Sequence, residues 1–181
     1  FLQGDNPMYP ETELDRGLAQ LRDRMSRMAA DDTAPDTRLS DDMNAINPAI
    51  TEGLVRLMLG GIPVGRSAHT LHCRLRYFDP SARRAGLPPD VAALVDSMSD
   101  GEVSVQLVNL DPVHERHVTV QAGAYGEHEI GSVAVEGGAQ VDVPGDGSDF
   151  TVRLAPGAGG RLTISQKRFT RQPTFTFPWD R

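Results

Sequence analysis

The sequence predicts an α+β protein, with a helical and irregular docking segment over residues 1–101 and an antiparallel β-sandwich over residues 102–181. Three observations carry this reading. Residues 102–170 hold short stretches in which apolar and polar side chains alternate with the period of two that a half-buried strand demands. Turn formers interrupt them at regular intervals, with no room for the crossover helix of a parallel sheet. Upstream, apolar residues recur at spacings of three and four, the period of an amphipathic helix.

Within the sandwich, Val103, Val105 and Leu107 alternate with Ser104 and Gln106. The alternation resumes over residues 117–122 after a turn-like stretch, so the two are expected to pair as a hairpin with a longer loop. Ile130, Val133 and Val135 lead to Gly137-Gly138, and Val141 and Val143 to the turn Pro144-Gly145-Asp146-Gly147. Phe150, Val152 and Leu154 form the next inward row, and Leu162 and Ile164 the last.

In the first half, Leu14, Leu18, Leu21, Met25 and Met28 share one helical stripe. Thr12 is the expected N-cap, and Glu13 and Asp15 sit near the positive end of the helix dipole. The stripe lasts about four turns. That is short for a coiled-coil seam, and an amphipathic helix lying on a neighbouring surface is the preferred reading. Residues 31–46 are acidic and turn-rich; Asp31-Asp32 and Asp41-Asp42 lack the ligand pattern of a calcium loop. A second helix is expected from Asn47 as cap and Pro48 at the first helical position, with Ile50, Leu54, Leu57 and Met58 on one side, ending at Gly60-Gly61 with Pro63 beyond. Val55 and Leu59 widen its apolar surface, giving more helix face than the rest of the chain is expected to cover. Residues 69–78 alternate as a strand, as an extra strand, an edge of the sandwich or a bridge to it. Residues 87–101 read as a short helix carrying Val91, Leu94, Val95 and Met98, stopped at Gly101.

Composition narrows the function. The net charge is −7 and Lys167 is the one lysine, which argues against a nucleic-acid partner, since phosphate binding needs clustered cations. No stretch approaches the roughly 20 apolar residues of a membrane span, so no membrane partner is expected. Cys73 is the single cysteine, which rules out a disulfide within the chain. The arginine excess fits a GC-rich, bacterial coding sequence. Phe1 and Leu2, hydrophobes at what should be a solvated terminus, read as cut from something longer.

Candidate chemistry is sparse. His69, His72, His114 and His117 are the candidate metal ligands, but His69 and His72 fall on opposite faces of a strand. The stretch from His114 to His117 lacks the spacing of a helical zinc motif. Surface or hydrogen-bonded histidines are therefore preferred, and no cofactor is expected. Ser67 sits where a nucleophile elbow would need a following glycine and helix, and has neither; Ser132 has no flanking pattern. Tyr125, Glu127 and His128, with Glu129, form a polar cluster that could offer an acid, a base and an aromatic platform, though a scaffold turn is preferred. Trp179, near Phe169, Phe175 and Phe177, could stack on a sugar face, but a clamp holding the tail to a neighbouring surface is preferred.

The stretch from Val105 to Pro112, then His117-Val118-Thr119-Val120, then Phe150 to Gly157, resembles the C-terminal β-sandwich accessory domain of multidomain glycoside hydrolases, over residues 102–166. The resemblance implies a supporting role, an extracellular or periplasmic home and no catalytic residue. Three functions stay open. The leading one is a noncatalytic accessory portion of a larger, carbohydrate-active enzyme or other assembly, whose helices dock on a protein partner or on the remainder of its own polypeptide. The alternatives are a carbohydrate-binding module using Trp179 and a small metal-dependent enzyme using the histidines.

Overall fold

The computed structural model describes residues 1–39, 42–62, 71–143 and 147–181. Two α-helices, α1 (Tyr9–Ala29) and α2 (Glu52–Leu59), precede the strands. These are β1 (Gly61–Ile62), β2 (His72–Cys73), β3 (Leu75–Asp79), β4 (Arg84–Ala85), β5 (Val91–Met98), β6 (Glu102–Asn109), β7 (Arg116–Ala122), β8 (Glu129–Val135), β9 (Gln140–Asp142), β10 (Asp149–Leu154) and β11 (Gly159–Lys167). One sheet has the order β10-β7-β3-β4, the other β5-β6-β11-β8-β9, and β1 with β2 makes a small ribbon. All pairings are antiparallel. Leu75, Tyr77, Val118 and Val120 from one sheet meet Val103, Val105, Leu107, Leu162 and Ile164 from the other in one buried cluster. The chain is therefore a helical segment followed by an antiparallel sandwich, as its alternating stretches require.

Several expectations are corrected. Residues 91–98 form strand β5 rather than a helix, and β5 and β4 join the sheets although they precede residue 102, as does β3, which the strand reading of residues 69–78 allowed for. A short apolar run such as Val91-Ala92-Ala93-Leu94-Val95 fits either period. Pairing with β6 decides it, and a register shift between Val95 and Ser97 absorbs the irregular pattern. Nor do β6 and β7 form a hairpin, because they lie in different sheets. The chain changes sheet after Asn109, whose buried amide donates to the carbonyls of His114 at 2.8 Å and Ala155 at 3.1 Å. Asp111 then accepts from the backbone N–H groups of Val113 and His114.

Both helices start elsewhere than expected. Pro10 fits the first turn of α1, needing no N–H there, so Thr12 is already helical and its hydroxyl donates to the Met8 carbonyl at 2.9 Å. Asn47 closes a turn by accepting from the Ala49 N–H at 2.9 Å, and α2 begins five residues later, after Thr51. Its end is as expected: Gly60 is left-handed, with φ 58°. Asp41, Pro63 and residues 144–146 lie outside the described residues, as do Ser67 and His69.

α2 is fixed to the sandwich. Leu57 is buried, the Tyr77 hydroxyl donates to the Met58 carbonyl at 2.5 Å, and the Arg74 N–H donates to the Leu59 carbonyl at 3.0 Å. Arg74 is itself a buried junction. Its Nε donates to Gln166 Oε1 at 2.9 Å and its Nη2 to the Glu102 carbonyl at 3.2 Å, while Gln166 Nε2 donates back to the Arg74 carbonyl at 3.2 Å. Both side chains of this pair are thus satisfied, as burial demands.

Candidate functional site

α1 packs on α2 rather than on the sheets, and part of its apolar face stays uncovered, as the expected surplus of helix face requires. The buried residue of α1 is Glu13, not one of its apolar residues. Its carboxylate pairs with Arg16 at 3.1 Å and with Arg56 of α2 at 3.7 Å. The glycine at position 53 lets the two helices close on each other, for a Cβ there would come within 3.3 Å of Glu13 Cγ. Farther along, Arg24 donates to the Asn47 carbonyl at 2.9 Å. Glu13, Gly17, Leu21 and Arg24 turn toward the chain, and the rest of the apolar stripe lies beside this line, about half exposed. Leu14, Leu18, Met25 and Met28 are 44%, 48%, 50% and 43% exposed, and Leu54 of α2 is 47% exposed. Of the stripe, Leu21 is half-buried. Exposed apolar residues scattered singly need no explanation, but a row on one helix face marks a contact surface.

The residues singled out near the chain's end serve another purpose. Glu127 is buried and its carboxylate accepts from the backbone N–H groups of Ala124 at 3.2 Å and Tyr125 at 2.7 Å, closing the loop after β7. Gly123, at φ 83°, makes that closure possible, because any Cβ there would collide with the carboxylate. His128 is buried with Nδ1 accepting from the Phe169 N–H at 3.1 Å, and Phe169 meets the imidazole edge to face. Desolvation holds His128 below its ordinary value of 6.5, against the pull of Glu127, and nearby Arg74 and Arg168 push the same way as burial. The ring is therefore neutral, a structural acceptor rather than an acid. Tyr125 contacts Phe175 and its carbonyl accepts from the Thr174 N–H at 2.8 Å. Trp179 stacks on Phe177 with centroids 5.0 Å apart, and both rings meet Phe78 edge-on. Arg181 donates to Gln121 Oε1 at 2.6 Å. Tyr125 and His128 thus touch the C-terminal strap, residues 168–181, whose Phe177 and Trp179 pack against Phe78 of the four-stranded sheet.

Among the described residues the candidate histidines do not converge; His69 lies outside them. His72 is exposed and stacks on Phe169, His114 lies 2.9 Å from Asp111, and His117 lies 3.4 Å from Glu115. Among the described residues no three His, Cys, Asp or Glu side chains are grouped to hold a metal ion. A cleft of about 230 Å³ opens beside Cys73, lined also by His72, Arg74, His128 and Arg168. Burial, with Glu127 adding to it, pushes the Cys73 thiol up to about 12, so it is not a thiolate at neutral pH and offers no nucleophile. The Ser132 hydroxyl pairs with Ser165 at 3.0 Å across the β8–β11 pair and accepts from Gln140 Nε2 at 2.9 Å.

Glu13 and Arg74 are the residues that sequence reasoning missed. Each looks like an ordinary solvated charge, and no spacing signals that one anchors α1 while the other joins α2 to both sheets.

A family model described as a domain of unknown function (DUF8034) matches residues 1–55. That match takes in all of α1 and the first half of α2, the region that carries the outward stripe. No curated protein and no solved structure matches the chain. Among the described residues no helix is long and apolar enough to cross a membrane.

Proposed function

We propose that this chain is a noncatalytic assembly segment, in which the sandwich is a rigid support and α1 presents its apolar stripe to a protein partner. The observation that carries the reading is the half-exposed row Leu14, Leu18, Met25 and Met28 on a helix whose buried residue is the charged Glu13. A helix oriented this way leaves about 20–33 cal/mol per Å² of apolar surface unrealised until something covers it. The buried ionisable groups support the same reading, since Glu127, His128 and Arg74 are each held in structural hydrogen bonds. From the sequence resemblance of residues 102–166 to accessory sandwiches of glycoside hydrolases, we propose a carbohydrate-active enzyme as the first assembly to examine.

A photo-crosslinking side chain at position 18, compared with one at exposed Gln20, tests the proposal in the cells that make the protein. Position 18 is expected to give a discrete adduct that mass spectrometry identifies and that purified components reproduce. Equal, diffuse labelling from both positions would defeat it.

A further inference from the structure

We propose that the occupant of the stripe is a second copy of this chain, with two α1 helices packed antiparallel about a two-fold axis; this rests on the assembly reading above and names its partner. The argument is charge complementarity along an apolar row of which Leu14, Leu18, Met25 and Met28 are exposed and Leu21, at its middle, is half-buried. Leu14, Leu18, Leu21, Met25 and Met28 follow spacings of four, three, four and three over a helix of 21 residues, the alternation of a two-helix seam. The charges beside it are segregated. Glu11, Glu13 and Asp15 stand against Arg16 in the first half, whereas Arg22, Arg24 and Arg27 stand against Asp23 in the second. A parallel pair would set like on like, and an antiparallel pair sets each half on its opposite.

Position-by-position, the match is specific. Asp15 and Arg22 each follow a seam leucine and lie seven residues apart, on the same flank. With Leu18 opposite Leu21 of the second copy and Leu14 opposite Met25, antiparallel packing brings Asp15 of each chain to Arg22 of the other, twice by symmetry. In a parallel pair the residues facing this flank would be Pro10 and Gly17, which carry no charge. Both side chains are available. Glu13 is engaged by Arg16 and Arg56, Arg27 by Asp23 and Arg24 by Asn47, while among the described residues Asp15 and Arg22 hold no ion pair. Because α2 already holds α1 in place, little ordering remains for association to impose. The seam is short, at the low end of specific interfaces near about 1,200 Å², so association is weak and concentration-dependent.

Sedimentation equilibrium of the full chain from micromolar to several hundred micromolar tests this. Dimer is expected; Asp15→Arg and Arg22→Asp should each weaken it by about tenfold, and the double reversal should restore it to within a few-fold. Circular dichroism checks that these surface variants fold as the parent does. A chain that stays monomeric throughout, or single reversals whose effects the double variant does not repair, would overturn the proposal. If the chain is monomeric while position 18 crosslinks to a different protein that purified components reproduce, the self-pairing falls and the assembly reading stands. If neither is seen, both fall.

Discussion

The two helices carry similar apolar signals and meet opposite fates. α2 buries Leu57 and ties its last turn to Tyr77 and Arg74 of the sandwich, whereas α1 buries Glu13 and leaves Leu14, Leu18, Met25 and Met28 about half exposed. An amphipathic pattern states that a face needs cover and leaves open which molecule supplies it. What separates the helices is the surface they meet. α2 ends at Gly60 against Val95 and Met98, an apolar floor, while α1 meets Arg56 and Gly53 on α2, a partner better suited to a carboxylate.

The largest effect should come from truncating equivalent leucines on the two helices. Leu57→Ala should lose about 2–5 kcal/mol in urea denaturation, and Leu18→Ala, measured on dilute chain, no more than about 0.5 kcal/mol. Similar losses at both positions would erase the contrast. A smaller effect is expected at the joint itself. At Gly60→Ala the residue keeps φ near 58° and its Cβ meets Met98 Sδ at 2.8 Å, which should cost about 1–3 kcal/mol. Faster amide exchange should then be seen in α2, and a variant as stable as the parent would show the joint to be loose.

The smallest effect concerns pH and separates the sandwich from the seam. Burial lowers the His128 pKa below 6.5 in the folded chain, so the unfolded chain takes up the proton first as pH falls. This contribution is fully present above about pH 6.5 and is lost as pH falls from there toward the folded value. Thermal midpoints at pH 7.5 and 5.5 should differ by less in His128→Gln than in the parent. Residues 9–29 contain no histidine, so association through α1 should not follow this profile; a shared profile would mean that the two regions are coupled.

Some of these features were legible in the residues and some were not. The rows Val103-Val105-Leu107 and Leu162-Ile164 announce a sandwich because a strand's period of two leaves one reading of each alternating run. The stripe of α1 was equally plain. Residues 91–95 are an unbroken apolar run that satisfies both periods, and β6 and β7, neighbours in sequence, need not be neighbours in a sheet. A tail clamp through Phe175 and Phe177 was legible, but its floor, Phe78 on β3, and the share of Trp179 in it needed the fold, which leaves Phe175 largely exposed against Tyr125.

Periodicity and turn chemistry by themselves determined the class of this protein, its sandwich rows and the presence of an apolar helix stripe, since each follows from neighbours along the chain. Which strands share a sheet, which face of α1 turns inward and where Glu13 and Arg74 find their partners were decided by tertiary structure. Those outcomes depend on contacts between residues far apart in sequence, such as Arg74 with Gln166 and Glu13 with Arg56, and no local pattern encodes them.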